Sequence, residues 1–560
     1  MPSFAADAPV NIASALVDMA RQRPYAPAIF EPRARDRDGR RLYAHFTYAQ
    51  LDERSDAIAR GFEAIGIGRG VRTVLMVRPS LEFFALFFAL FKAGAVPVLV
   101  DPGIGMKRLG RCLGEARPTA FVGIAPAQIA RVVLGWARGT IVTRVTVGAR
   151  LPGFGLSLAD AIEAGKAAQL DDATHRVAPT IGAEMAAILF TSGSTGAPKG
   201  VVYEHRHFAA QVELIRDTYG IEPGEVDLPT FPPFALFDPA LGMTTVIPDM
   251  DPTRPAKVDP ENIFEAVRDF GVTNMFGSPA LLDAVGRHGA ARGVKLPTLR
   301  RVISAGAPVS PAVMARFLSL LPEGAQVHTP YGATECLPVA TIDSDGVLGD
   351  ARARTDTGAG VCVGRPLAHN DVRVIGVSDD AIERWDDTLE VPAGVIGEIT
   401  VRGPTTTQRY DAREEATKRA KIDHGDGWRR HRMGDVGYFD EDGRLWFCGR
   451  LAHRVVTPAG TLYTVPCEMV FNAHPQVFRT ALVGVERAGV TAPVLCVERE
   501  ADATLDDVTL FAELRALGSR HDITRGIDRF VVHPGFPVDI RHNAKIDRPA
   551  LAQWAAGKVP

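Results

Sequence analysis

The sequence predicts an α/β protein. It reads as a large N-terminal domain over residues 1–450, made of doubly wound sheets plus a small distorted β-barrel, followed by a small mobile α+β C-terminal lid domain over 451–560. Three observations carry that prediction. From the N-terminus to RRVISAGAP, helical and strand patterns alternate, which in a compact chain means parallel strands covered by helices. After Leu367 the pattern changes to strand–turn–strand units, DVRVIGV, GEITVRG and GYFDEDGRLWFCGR, which read as antiparallel. From Leu451 the last 110 residues hold a complete small set of elements: the strands RVVT and TALVGV, a helix around LFAELRALGSR, the strand RFVVHP and a polar tail, RHNAKIDR. A chain of 560 residues exceeds a single core in any case, so a hinge near Gly449 to Ala452 is expected.

The elements follow in order. Ile12, Leu16, Met19 and Ala20 recur at helical spacing behind Asn11, a cap residue, and Pro24 stops the helix. FTYAQLDERSDAIARGFEAIG repeats the form from Phe46, with Thr47 as its cap. VRTVLMV (71–77) reads as a buried strand. LEFFALFFALFKAGAVPVLVDP reads as a buried helix ending at Gly94 and then a strand; Glu82, Lys92 and Pro97 interrupt it, well short of the roughly 20 apolar residues a membrane span needs. Parallel strands continue through TAFVG, AAILF, TNMFGSP and RRVISAGAP. Ligands of such sheets gather at the carboxyl ends of the strands.

Hydrophobic content of 46%, charged content of 23% and a net charge of -3 describe an ordinary globular protein without the concentrated positive charge of nucleic-acid binders. A small molecule is the expected partner, with no nucleic acid. The six cysteines are scattered without CxxC or Cys/His zinc spacing, and the N-terminus lacks the apolar core of a secretory signal, so a reducing, cytoplasmic location is expected.

One loop carries chemistry. Thr191-Ser-Gly-Ser-Thr-Gly-Ala-Pro-Lys-Gly200 follows the buried strand AAILF, and its backbone N–H groups, hydroxyls and lone Lys199 suit an anion. Phosphate is the natural occupant. Pro198 before Lys199 breaks the Walker pattern GxxxxGK[ST], so the GTPase-like reading fails. His205 and His207 follow in YEHRHF; without a third ligand nearby they read as satisfying backbone groups rather than holding a metal.

The decapeptide resembles the phosphate loop of the adenylate-forming enzymes, the superfamily of acyl-CoA synthetases, luciferases and peptide-synthetase adenylation domains. Other segments agree in order: FTYAQLDERSD, FKAGAVPVLVDP, Thr329-Pro-Tyr-Gly-Ala-Thr-Glu335, Arg432-Met-Gly-Asp435, Gly449-Arg450 and Asn543-Ala-Lys-Ile-Asp-Arg548. The resemblance implies ATP and Mg²⁺ as cofactors, with Mg²⁺ near Glu335. It implies that Thr191, Ser192, Gly193, Ser194, Thr195, Gly196 and Lys199 cradle the β- and γ-phosphates. Tyr331 would border adenine, Gly306, Ala307 and Pro308 would line its other side, and Thr334 would reach the α-phosphate. Asp435 would accept the ribose hydroxyls, and Arg450 would reach ribose or phosphate. Lys545 would be the catalytic cation, offsetting the repulsion between substrate carboxylate and ATP. A non-enzymatic scaffold would have no need to keep Lys199, Glu335, Asp435 and Lys545 together.

The chain also departs from the usual family pattern. In Gly449-Arg-Leu-Ala-His-Arg-Val-Val-Thr-Pro-Ala-Gly460, Ala452 stands at the hinge position, Val456 replaces a lysine, and Pro458-Ala459 falls where acyl-CoA synthetases need backbone open to the pantetheine arm. An acceptor other than coenzyme A is therefore expected, and a hydroxyl on the substrate itself would gain from intramolecular attack. LPTFPPFALFDPALGMTTVIPDMDPTRPAKVDP with GVTNMFGSPALLD resembles one branch, the β-lactone synthetases of olefin biosynthesis (the OleC type). That likeness implies a long-chain 2-alkyl-3-hydroxy acid as lipid substrate, closure to a β-lactone with release of AMP and pyrophosphate, and other olefin-pathway enzymes as partners. Fatty acyl-CoA ligase is the alternative. Phe234, Phe237, Phe276 and Gly277 are the expected acyl-pocket residues, and Met243 shares their apolar character.

Overall fold

The structure is a computed structural model that describes residues 5–100, 104–168, 177–190, 198–487, 489–538 and 545–558. A seven-stranded sheet runs in the order Leu156–Ser157, Thr143–Val147, Ala120–Ile124, Arg72–Met76, Val96–Leu99, Met185–Phe190 and Gly200–Glu204. Neighbours are parallel except the last pair, which is antiparallel. One face is covered by the helices Tyr48–Ala64, Leu81–Lys92 and Leu158–Ala167, and the other by Met106–Ala116 and Ala125–Val133, giving two separate apolar clusters.

The local reasons are those the sequence suggested. Thr47 accepts from the backbone of Gln50, whose side chain returns to the Thr47 backbone, a reciprocal cap that fixes the start of Tyr48–Ala64. Ser80 caps Leu81–Lys92 by accepting from Phe83 N, without a return bond. Asn11, however, does not cap the first helix. Its side-chain oxygen accepts from Ala13 and its amide reaches the Phe91 carbonyl, so it shapes a preceding turn and the helix begins at Ser14. Lys92, at the end of the phenylalanine-rich helix, is fully buried and bound by Asp52 and Asp56 of the neighbouring helix.

The second sheet has fourteen strands. Its first half is parallel: Pro27–Arg35, Thr244–Val246, Val226–Pro229, Asn274–Phe276, Arg301–Ile303 and Gln326–Ala333, with Arg41–Thr47 as an antiparallel edge. Gln326–Ala333 then turns at Thr334–Glu335 and pairs antiparallel with Cys336–Ile342. Val361–Pro366, Leu445–Arg450, Arg429–Phe439, Gly397–Arg402 and Asp371–Ile375 extend the sheet in that order. The antiparallel strands continue the large sheet and curl round one apolar cluster that includes Val363, Val374, Ile399 and Leu445, without closing into a barrel among the described residues.

Beyond Arg450, Val455–Thr457 and Gly460–Leu462 form a hairpin whose turn is Pro458-Ala459. Val477–Arg487, Val490–Arg499 and Phe530–Val532 form a three-stranded sheet. Its side chains alternate between two cores. Leu482, Leu495 and Val497 pack under Thr464–Asn472 and Asp507–Gly518, whereas Ala481, Val483, Val485 and Cys496 pack under Arg548–Ala556.

Candidate functional site

Three segments converge at the carboxyl end of Met185–Phe190. The strand Gly200–Glu204 has Lys199 at its foot. The segment 409–411 pairs with it: Val201 bridges to Tyr410, and the Asp411 N–H donates to the Gly200 carbonyl at 2.8 Å. The turn bearing Thr334 and Glu335 closes the group, since Tyr203 Oη donates to the Thr334 carbonyl at 2.6 Å.

Glu335 is held from both ends. Its carbonyl accepts from Thr407 N at 2.9 Å and from Thr407 Oγ1 at 3.0 Å. Its carboxylate oxygen Oε1 accepts from Tyr410 Oη at 2.6 Å, leaving Oε2 with no hydrogen bond among the described residues. Burial, and then the Glu335 charge, raise the Tyr410 pKa, so the phenol remains a donor. Lys199 Nζ lies 4.9 Å from the centroid of the Tyr410 ring. Lys421, buried behind Thr407 and bonded to its carbonyl, is pushed down to about 8 by burial, against the opposing pull of Glu335. Lys199 on Tyr410, Lys421 on Thr407 and Arg450 on Asp435 thus place three cations in the connected group that holds the Glu335 and Asp435 carboxylates.

Asp435 sits where Arg429–Phe439 lies beside Leu445–Arg450, directly opposite Arg450 in register. Its two oxygens accept from Tyr331 Oη at 2.7 Å and from Arg450 Nη1 at 2.7 Å. Burial and the Asp435 charge keep the Tyr331 phenol protonated. Tyr331 therefore touches the acid expected to bind ribose. Gly449, at a φ of +121°, admits the Thr464 hydroxyl 2.6 Å from where a Cβ would stand, so the strand before Arg450 packs directly on the helix Thr464–Asn472.

The expected residues are placed unevenly. Lys199, Tyr331, Thr334, Glu335, Asp435 and Arg450 belong to this connected group. Gly306, at a φ of +95°, with Ala307 and Pro308 forms the turn after Arg301–Ile303, at the carboxyl edge of the same sheet. Phe234 and Phe276 meet with ring centroids 4.4 Å apart, and Phe231 flanks both. Phe237 instead lies against Phe208 at 6.2 Å. Gly277 is filled from behind by Leu281 and Leu282, and Met243 is a core residue whose carbonyl accepts from Tyr48. Thr191, Ser192, Gly193, Ser194, Thr195 and Gly196 lie outside the described residues. Lys545 is half-buried beside the bridge pairing Val538 with Ile546. His207 Nδ1 accepts from the Glu204 backbone at 3.0 Å, which makes it part of a helix cap, and burial pushes His205 down to about 4. No group of three or more His, Cys, Asp or Glu suited to a metal occurs among the described residues.

Sequence reasoning missed Tyr410, Tyr203, Lys421 and the threonines behind Glu335. The signal was present only for the last. Thr405, Thr406 and Thr407 follow directly on the strand Gly397–Arg402 and Gly403-Pro404, and all three are fully buried, an unusual density of hydroxyls that serve Glu335 and Cys336.

The chain is similar to known proteins over nearly its whole length. Over 557 residues the chain is 56% identical to an olefin beta-lactone synthetase of Xanthomonas campestris pv. campestris, covering 98% of this chain and 97% of that protein. It is 54% identical to an olefin beta-lactone synthetase of Stenotrophomonas maltophilia, covering 98% and 99%. The fold is similar to that of an amide bond synthetase from Marinactinospora thermotolerans, at 25% identity and a TM-score of 0.77, covering 97% of this chain and 99% of that one. The model of the AMP-binding enzyme family matches residues 17–411, the stretch that includes Lys199, the Thr334–Glu335 turn and Tyr410. The chain belongs to the AMP-binding enzyme family.

Proposed function

We propose that this protein is an ATP-dependent β-lactone synthetase acting on long-chain 2-alkyl-3-hydroxy fatty acids. The observation that carries this reading is the 56% identity, over 98% of the chain, to a protein named olefin beta-lactone synthetase. The hairpin after Arg450 supports it. Val456, where acyl-CoA synthetases carry a lysine, is 55% exposed, and Pro458-Ala459 forms a tight turn instead of an open thiol path.

In the reaction the substrate carboxylate attacks the α-phosphorus of ATP and pyrophosphate leaves. The β-hydroxyl oxygen then attacks the acyl carbon, gives up its proton, and AMP leaves with one former carboxylate oxygen. Thr191, Ser192, Thr195 and Lys199 hold the β- and γ-phosphates, with Gly193, Ser194 and Gly196 permitting close approach. Thr334 faces the α-phosphate. Asp435 takes the ribose, with Arg450 alongside; Tyr331 and Gly306–Pro308 enclose adenine. Residues 1–450 carry these groups, and residues 451–560 form a lid that brings Lys545 to the meeting anions. At about 4 Å and an effective dielectric near 20, two unit charges repel by roughly 4 kcal/mol, which a placed cation offsets. Glu335 offers hard carboxylate oxygens, one of them without a hydrogen bond among the described residues, and Mg²⁺ binds through one or two carboxylates plus substrate phosphates, so the site fits that ion. When bound it would supply positive charge to the phosphate oxygens. Phe234 and Phe276 give the acyl chain an apolar wall, each buried methylene being worth about 0.8 kcal/mol.

The test is incubation of the protein with a 2-alkyl-3-hydroxy acid, ATP and Mg²⁺ in the absence of coenzyme A. The reading predicts a product lighter than the acid by one water, with AMP and pyrophosphate formed in equal amounts. Strict dependence on coenzyme A, with a thioester as product, would overturn it in favour of an acyl-CoA ligase.

A further inference from the structure

The two helices on the outer face of the seven-stranded sheet, Met106–Ala116 and Ala125–Val133, pack over one cluster with Leu109, Cys112, Leu113, Ala127 and Trp136 turned inward. Their outward sides are unusual. On the second helix and the residue after it, Ile129, Val132, Val133 and Leu134 are 45%, 45%, 74% and 49% exposed. On the first helix Lys107, Arg108 and Arg111 are exposed, and Arg138 is exposed just beyond Trp136. None of these four cations has a carboxylate partner among the described residues. The single acid of that helix, Glu115, is bound in bidentate fashion by Arg413. Buried Trp136 follows the second helix and packs against the first, its Cδ1 2.8 Å from where a Cβ of Gly110 would stand, so the two helices lie side by side over this cluster.

Single exposed apolar side chains are ordinary, but four on one short stretch form a patch. A generic protein partner would account for the apolar stripe alone. The uncompensated cations beside it specify an anionic counterpart, and the pairing of the two is the composition of helices that lie in the headgroup layer of a bilayer. No helix among the described residues is long and apolar enough to cross a membrane, so the contact would be interfacial.

We propose that this face docks the protein on an anionic lipid surface, with Lys107, Arg108, Arg111 and Arg138 among the headgroups and Ile129, Val132, Val133 and Leu134 at the acyl boundary. Such docking is independent of the reaction performed. It would place the enzyme on the phase into which long-chain acids partition.

The experiment is sedimentation of the full chain with vesicles of phosphatidylcholine alone or mixed with phosphatidylglycerol. The expected result is salt-sensitive binding to the mixed vesicles and little to the neutral ones. Val132→Asp with Val133→Asp, and separately Lys107→Glu with Arg108→Glu and Arg111→Glu, should each weaken binding by about tenfold or more while leaving turnover of a short-chain, water-dispersed acid unchanged. Near-UV circular dichroism verifies that the variants are folded. Absence of binding, equal binding to both vesicle types, or folded variants that bind like the parent would overturn the proposal. So would self-association of the parent that the Val132/Val133 exchange abolishes with no effect on lipid, which would make this face an interface between copies.

Discussion

Replacing Tyr410 with Phe removes one oxygen atom from the site and leaves its framework intact. That oxygen donates to Glu335 Oε1 at 2.6 Å from a phenol that burial keeps protonated. The ring stays, 4.9 Å from the Lys199 ammonium, and so do the two Thr407 bonds that fix the Glu335 carbonyl. A hydrogen bond to a charged group contributes about 1.5–3 kcal/mol. To the extent that the bond tightens between the free enzyme and the transition state, its loss lowers kcat/KM, up to a limit of about 10- to 150-fold at about 1.36 kcal/mol per tenfold. The carboxylate being oriented is the one proposed to face Mg²⁺, so the Mg²⁺ concentration for half-maximal rate should rise while KM for the acid holds. Pyrophosphate release measured across a Mg²⁺ titration reads both quantities. Tyr410→Ala, which also strips the ring from beneath Lys199, should fall further. Unchanged kcat/KM with an unchanged Mg²⁺ profile in Tyr410→Phe would refute the positioning role.

Lys545→Ala should reduce acid-dependent pyrophosphate release by about 10²-fold or more while ATP still binds, measured by calorimetry alongside turnover; near-parental turnover would remove Lys545 from the chemistry. Lys92→Met leaves Asp52 and Asp56 buried without their shared cation and should cost about 3–5 kcal/mol in denaturant unfolding. The buried carboxyls Asp227 and Asp238 are in mutual hydrogen-bond contact. Burial pushes Asp227 up to about 7, and burial with the Asp227 charge holds Asp238 above the usual carboxylate range. Unfolded, both titrate near about 3.9, so between about pH 4 and pH 7 the native state keeps a proton the unfolded chain has lost. This pair therefore makes stability fall as pH rises above about pH 4, with the Asp227 share spent by about pH 7. Asp238→Asn copies the protonated form, donating to Asp227 and accepting from Thr245, and should flatten that fall in thermal unfolding between about pH 5 and about pH 8; a parental slope in the variant would contradict the assignment.

What the sequence disclosed was local or ordered along the chain. Thr47 caps the helix it precedes because a cap is satisfied within a few residues. The buried strands Arg72–Met76 and Met185–Phe190 stood out as apolar runs. How the antiparallel strands join the rest was not legible, because it depends on register between distant strands, and Gln326–Ala333 pairs on both sides, carrying the sheet onward. Lys92 looked like an interruption of an apolar helix, since its partners Asp52 and Asp56 lie on another helix. Tyr410 and Lys421 could not be told from ordinary polar positions, because what marks them is contact with Glu335 and Thr407 across the fold. Asp435 and Arg450 were found as motif residues, yet their direct bond to each other, with Tyr331 on the second oxygen, emerged only from the pairing of their strands.

The most direct measurement follows the oxygen. A 2-alkyl-3-hydroxy acid labelled with heavy oxygen in its carboxyl group is turned over with ATP, and the nucleotide is analysed by mass spectrometry. Attack on the α-phosphorus predicts AMP carrying one heavy oxygen on its phosphate. Unlabelled AMP, or ADP with label in inorganic phosphate, would contradict the account.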